Sequence, residues 1–275
     1  MAINKIIPFS CIDGPGNRMV IFFQGCNFRC GYCHNPETIH SCIHCGDCVS
    51  VCPAQALSLK EGKVVWNRQA CIGCDACIHN CTHLSSPKTT DDSPRELADY
   101  IIRSEAFLDG ITVSGGECTL QIPYLFELFS ILKAETKLTC FVDTNGGIDL
   151  SKHEAFVELA DAFMLDIKAA DEAEHKWLTG SSNEMVWKNL HFLMEKGKLY
   201  EVRTVLAPGL SAKETIIRVS EAISNRCIYK LLRYRPFGVR QEGTEVFGTQ
   251  VTKIEDMEPL VLLAKEHGAS NAIGI

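Results

Sequence analysis

Fifteen cysteines in 275 residues constrain this chain more than any other feature. Eleven of them fall between residues 26 and 81, mostly at gaps of two or three residues. Neighbours that close suit metal or iron–sulfur ligation better than the disulfide framework of a short exported chain. The N-terminal stretch MAINKIIPFSCIDGPG lacks the apolar core and cleavage site of a signal peptide. No apolar run approaches the roughly 18 residues of a membrane span. A reducing, cytoplasmic setting is therefore expected. Lys and Arg number 27 against 34 Asp and Glu, a net charge of −7, which argues against nucleic-acid and membrane-surface partners.

The densest cysteines form an internal repeat. Cys42-x2-Cys45-x2-Cys48-x3-Cys52-Pro53 is followed by Cys71-x2-Cys74-x2-Cys77-x3-Cys81. This is the bacterial ferredoxin run, in which the fourth cysteine serves the other cluster. One [4Fe–4S] cluster is thus expected on Cys42, Cys45, Cys48 and Cys81, and a second on Cys71, Cys74, Cys77 and Cys52. Thr82 stands where the second run would usually carry Pro. Residues 38–88 read as an inserted ferredoxin-like domain, with 1–37 and 89–275 forming the body. Complete cysteine shells suit electron relay, with a structural or docking role as the rival.

The body alternates strand and helix patterns. Strands are expected at 19–24, 111–114, 138–143, 162–167, 201–206 and 228–234, apolar as buried parallel strands are. Helices are expected near 120–134, 151–160, 184–196, 213–225 and 254–267, with one more starting at Ser93-Pro94-Arg95-Glu96. Phe126, Leu128, Phe129, Ile131 and Leu132 are expected to face the core. Six strand–helix units fall short of the eight in a closed barrel of about 250 residues. The fold class expected is α/β, a partial (β/α)6 TIM-like barrel with the ferredoxin-like insert.

Near the end of the first strand lies Cys26-x3-Cys30-x2-Cys33. Three thiolates on one loop can hold three irons of a cube that normally takes four cysteines, leaving one iron open. Zinc, with His34 as a fourth ligand, is the alternative, although structural zinc usually joins two separate knuckles. The other strands also end in polar or glycine-rich groups: Ser114-Gly115-Gly116-Glu117, Asp143-Thr144-Asn145-Gly146, Asp166-Ile167-Lys168, and Arg235-Pro236-Phe237-Gly238. Working residues of βα barrels gather at this rim. Each group alone also reads as a plain turn.

The cysteine loop, with Tyr32 before its last cysteine, resembles the signature of the radical S-adenosylmethionine (SAM) superfamily. Asp13-Gly14-Pro15-Gly16-Asn17-Arg18 and Phe23-Gln24-Gly25-Cys26 look like those of glycyl-radical-enzyme activating enzymes, and the insert resembles their YjjW-type subgroup. The resemblance runs through the whole body. It implies an oxidoreductase that cleaves SAM to a 5′-deoxyadenosyl radical, which takes hydrogen from a glycine of a partner glycyl radical enzyme. It implies three [4Fe–4S] clusters in all and a low-potential donor, a flavodoxin or ferredoxin. Cys26, Cys30 and Cys33 would hold the catalytic cluster. Tyr32, Cys33, His34, Gly115, Gly116, Glu117, Asp166, Ile167, Lys168 and Arg235 would line the SAM site. Asp13 and Arg203 would meet the incoming glycine loop, unless Arg203 pairs internally with an acid. Asp143, Thr144, Met164 and Asp166 match a monovalent-cation site. Arg235 departs from the pyruvate formate-lyase activator, which has His there. The rivals are a radical SAM enzyme for a small molecule or peptide, and an electron carrier without SAM chemistry.

Overall fold

An eight-stranded sheet flanked by helices forms the body of the protein, in a computed structural model that describes residues 2–275. In chain order the elements are β1 (Ile3–Ser10), β2 (Arg18–Phe23), α1 (Asp47–Ser50), β3 (Leu57–Lys60), β4 (Lys63–Trp66), α2 (Ala76–His79), α3 (Pro94–Ile102), β5 (Gly110–Gly115), α4 (Ile122–Glu135), β6 (Thr139–Thr144), α5 (Glu154–Leu159), β7 (Ala162–Asp166), α6 (Glu172–Thr179), α7 (Glu184–Glu195), β8 (Leu199–Leu206), α8 (Ala212–Ile223), β9 (Ile228–Arg233), α9 (Gln241–Phe247), α10 (Glu258–Glu266) and β10 (Ala272–Gly274). The sheet runs β1-β2-β5-β6-β7-β8-β9-β10, with β1 antiparallel to β2 and each later neighbour parallel. β1 and β10 stand at opposite edges, so the barrel stays open.

The six expected strands are β2 and β5 to β9, in sequence order across the sheet. Their side chains are buried on both faces: Met19, Val20, Ile21 and Phe23 expose nothing. That is why they read as continuous apolar runs rather than alternations. α3 begins as expected, with a full capping box: the Glu96 N–H donates to Ser93 Oγ and the Ser93 N–H to Glu96 Oε2. Phe126 corrects one expectation. It lies on the outer face of α4 and is 42% exposed, while Leu128, Phe129 and Leu132 are buried. Outside the cysteine repeat, whose short elements were not expected individually, four elements were not anticipated: β1, β10, α6 and α9. β1 carries Pro8, which an edge strand tolerates, and β10 is three residues long. Among the described residues no helix is long and apolar enough to cross a membrane.

The cysteine repeat folds as a small unit on the body. β3 and β4 pair through a two-residue turn at Glu61 (φ 48°) and Gly62 (φ 74°), the left-handed pair that a type I′ hairpin needs. Cys48, Leu57, Val64 and Cys77 make its own core. The repeat is visible in the backbone: His44 and Gly46 in the first run, and Gly73 and Asp75 in the second, all have positive φ. The neck closes where the His40 N–H donates to the Leu84 carbonyl at 3.0 Å. Thr38 and Ile39 still belong to the body, because their carbonyls accept from Gly25 and Cys26.

Candidate active site

The Cys26–Cys33 loop leaves the C-terminal end of β2 and is clamped from four sides. From below, the N–H groups of Gly116 and Glu117 donate to the carbonyls of Phe23 and Gly25 (2.9 and 2.8 Å). A Cβ at Gly116 would sit 2.2 Å from the Gly25 oxygen, so only glycine permits this approach. From one side, the carbonyls at the end of α6 accept from the loop: Arg29 N–H to Thr179 and Gly31 N–H to Leu178 (2.8 and 2.9 Å). From above, Gly243 of α9 packs on Gly31, where a Cβ would meet the Gly31 oxygen at 2.1 Å. From the β6 loop, Asn145 donates to Asn27 Oδ1 at 2.8 Å and reaches Cys26 Sγ at 3.7 Å. The Phe28 N–H also points at Cys26 Sγ, at 3.4 Å. α6 and α9 were not anticipated as parts of the site, and Asn145 was expected only as a member of a rim group.

Burial raises the free thiols of Cys26 and Cys30 to about 11, and raises Cys33 as well. The positive charge of Lys168 opposes this at all three. A cationic iron core would take up the thiolates that the bare protein disfavours. Cys118 does not add a fourth ligand, since its thiol is engaged by the carbonyls of Val113 and Asp143 (3.5 and 3.2 Å). Among the described residues no three His, Cys, Asp or Glu side chains converge as a single metal ion requires. His34 points away from a mononuclear zinc role, because its Nε2 bonds to the Arg235 carbonyl at 2.8 Å.

The remaining rim residues divide into three groups. Tyr32 is buried against Phe247, Leu178, Ala207 and Tyr234, and its hydroxyl has no protein partner. Arg235 is exposed on the strap that carries the His34 contact. Glu117 is buried; its Oε1 accepts from Thr119 N, Thr119 Oγ1 and Thr144 Oγ1, and its Oε2 from Asn145 N. Burial raises its pKa against the pull of those donors. Gly115 is held by β2, where a Cβ would fall 2.2 Å from Phe23 N.

The third group is a charge ladder across β6 to β9. Arg203 donates through Nε to Asp166 Oδ1 (2.8 Å) and through Nη2 to Asp143 Oδ1. Ser114 Oγ donates to Asp143 Oδ2 (2.8 Å) and Lys168 Nζ to Asp166 Oδ2 (3.1 Å). Lys230 pairs with buried Glu201 at 2.5 Å. Ile167 is buried, with its N–H on the Arg203 carbonyl. Against the cost of burial, the neighbouring Asp166 carboxylate keeps Lys168 charged, its pKa well above the ordinary value. Burial lowers Arg203 to about 10, against the charge of Asp13. The Asp13 carboxylate accepts from Ser10 Oγ at 2.5 Å.

The insert contains two hollows. The first, with about 380 Å³ of unfilled space partly open to solvent, is lined by Cys42, Cys45, Cys48 and Cys81, with Cys77 in its wall. The second, about 310 Å³, is lined by Cys52, Cys71, Cys74 and Cys77, and by Lys88. Each hollow is bordered by the four cysteines of one expected set, and Cys77 borders both. The N–H groups of His44 and Ala56 point at Cys42 Sγ and Cys52 Sγ (3.4 and 3.2 Å).

The sequence profile described as the radical SAM superfamily matches residues 20–218. The pyruvate formate-lyase-activating enzyme of Streptococcus mutans is 30% identical over 248 residues, covering 86% of this chain and 78% of that protein. That of Staphylococcus epidermidis is 31% identical over 255 residues, covering 87% and 83%. The trans-4-hydroxy-L-proline dehydratase activating enzyme of Clostridioides difficile is 28% identical over 280 residues, covering 90% and 91%. Among solved structures, Streptococcus suis SuiB bound to precursor peptide SuiA aligns at a TM-score of 0.60 and 12% identity, over 93% of this chain and 48% of that one. This last likeness concerns the fold alone.

Proposed function

The chain belongs to the radical SAM superfamily and to its activating-enzyme branch, and from that premise we propose that it installs the radical of a partner glycyl radical enzyme. One observation carries the reading. Three cysteines and no fourth sit on a single loop, clamped at the C-terminal rim of an open parallel sheet. When bound there, a [4Fe–4S] cluster with one open iron supplies the electron that splits SAM into methionine and the 5′-deoxyadenosyl radical that takes the glycine hydrogen.

The protein's part is to orient and exclude. We assign Gly115 and Gly116 to the amine end of SAM and Lys168 to its carboxylate. Asp166 and Ile167 take the ribose side. Tyr32, His34 and Arg235 border the adenosyl end. Glu117 acts one step back, holding Thr144 and Asn145 beneath the cysteine loop. Asp13, with the Nη1 edge of Arg203, receives the glycine loop. The open edge between β1 and β10 leaves room for a protein segment. In the insert we assign two further [4Fe–4S] clusters, one to each hollow, as a relay from a flavodoxin or ferredoxin.

The test is anaerobic mixing of the reduced protein with SAM and candidate glycyl radical enzymes. A glycyl doublet in the EPR spectrum of the partner is the expected result. 5′-Deoxyadenosine formed by turnover of a small molecule, with no protein radical, would instead select the small-molecule rival. No 5′-deoxyadenosine at all would select the electron carrier.

A further inference from the structure

Two buried donors of the insert have no protein partner, and they stand one at each hollow. Among the described residues of the insert, the buried side-chain polar atoms without a hydrogen bond are Ser85 Oγ and Trp66 Nε1. Ser85 lines the first hollow with Cys42, Cys45, Cys48 and Cys81. Trp66 lines the second with Cys52, Cys71, Cys74 and Cys77. Native interiors keep few unpaired donors, because each has lost water and gained nothing in return. Ser85 is 1% exposed, so bulk water does not serve its hydroxyl.

The local structure explains both positions. Trp66 ends β4 two residues after Val64, so the two share one face of the hairpin. Val64 lines the first hollow and Trp66 the second, so the same face offers hydrocarbon to one and an indole N–H to the other. Cys71 is the indole's near neighbour: the Gly73 N–H, and after it the indole, hold that thiol below its ordinary pKa. The indole leans toward Cys71 without closing a hydrogen bond. Ser85 follows Leu84, whose carbonyl closes the neck with the His40 N–H. The next hydroxyl, Ser86 Oγ, already accepts from the Lys88 N–H at 3.1 Å. The charged side chains of the second wall, Asp75 and Lys88, pair with each other, while the first wall carries Asp47 and His83. The sulfurs of a [4Fe–4S] cluster accept hydrogen bonds, and such bonds raise its potential by favouring the more negative, reduced state.

We propose that the Ser85 hydroxyl donates to the cluster of the first hollow and the Trp66 indole to that of the second, so that each residue sets the reduction potential of one insert cluster. The two are positioning residues of the relay, each acting on its own side of the shared wall. The statement rests on the two insert clusters proposed above.

The test is an EPR-monitored redox titration of the anaerobic, cluster-loaded full chain. Cys45→Ala and Cys74→Ala, each removing one insert cluster, assign the signals. Ser85→Ala should lower the reduced-to-oxidised ratio of the first cluster at least about threefold at fixed potential, a fall of about 28 mV for one electron, and leave the second unmoved. Trp66→Phe, which keeps an aromatic ring without the N–H, should do the same to the second alone. A variant that moves neither cluster, or both alike, overturns the assignment of its residue. A second measurement needs no variant: pulsed EPR of the reduced wild type with ¹⁵N-labelled tryptophan. Coupling of an indole nitrogen to the second cluster supports the Trp66 bond, and its absence overturns it. An insert that takes up no iron would defeat the cluster assignment and this proposal with it, whereas loaded clusters with unmoved potentials defeat this proposal alone.

Discussion

Glu117 is a structural acceptor in a fully buried site: three donors from Thr119 and Thr144 crowd its Oε1, and the Asn145 N–H meets its Oε2. Replacing it with Gln turns one acceptor into a donor facing donors. Glu117→Gln should therefore cost about 1–3 kcal/mol of stability, read by chemical denaturation of the protein. Gly116→Ala belongs to a different class. Its methyl group would press the Gly25 carbonyl at 2.2 Å, so the cysteine loop must shift. We expect Gly116→Ala to retain its helical circular dichroism but to lose the EPR change that SAM induces in the reduced cluster. An unaltered EPR response would show that the loop has more slack than this geometry allows. Ser-Gly-Gly-Glu was legible in the sequence as a rim motif. Its division of labour was not, because two of the four donors to Glu117, the Thr144 hydroxyl and the Asn145 N–H, come from a loop 27 and 28 residues away in the chain.

Helices that carry a periodic apolar face and a cap were legible before any coordinates, and α3 shows why: Ser93, Pro94 and Glu96 encode its start locally. α6 is shorter, and its pattern EAEHKWLT has little apolar face to detect. Its signals were there nonetheless. Asp171 caps it by accepting from the Glu174 N–H, and Gly180 ends it in the left-handed region at φ 81°. This neglected helix carries the cysteine loop on its last carbonyls, and His175 packs edge-on to Phe28 of that loop. The two helix ends therefore make contrasting predictions. Ser93→Ala should lower stability by about 0.5–2 kcal/mol and leave iron content and SAM cleavage unchanged. Gly180→Ala should cost about 1–2 kcal/mol through its left-handed backbone. It should also lower the iron retained per chain after gel filtration, because the strain falls on the end that holds Arg29 and Gly31. Equal iron retention in the two variants would mean that α6 does not govern the loop.

At the scale of the molecule, the six-unit sheet followed from six apolar runs separated by helical ones, while its two extra edge strands did not. β10 is too short for a period to register, and β1 lies outside the strand–helix alternation that identified the others. The cysteine repeat was legible because its spacing is local in the chain, and it recurs in the backbone as matching positive-φ positions at His44 and Gly73 and at Gly46 and Asp75. The hollows now separate Cys42, Cys45, Cys48 and Cys81 from Cys52, Cys71 and Cys74, with Cys77 at the wall they share. A shared wall suits electron passage between two clusters, and it equally suits a rigid docking module. Variants decide between them. Cys26→Ala should abolish SAM cleavage with any reductant, since it strips the open-site cluster. Cys45→Ala and Cys74→Ala should spare cleavage driven by dithionite, which reaches the body cluster directly, and impair it with reduced flavodoxin or ferredoxin. The measurement is 5′-deoxyadenosine released per chain under each reductant, with Mössbauer spectra confirming which clusters remain. If Cys45→Ala and Cys74→Ala lose both activities while the body cluster is still assembled, the insert shapes the enzyme rather than feeding it electrons. If they lose neither, the donor bypasses the insert and reduces the body cluster itself.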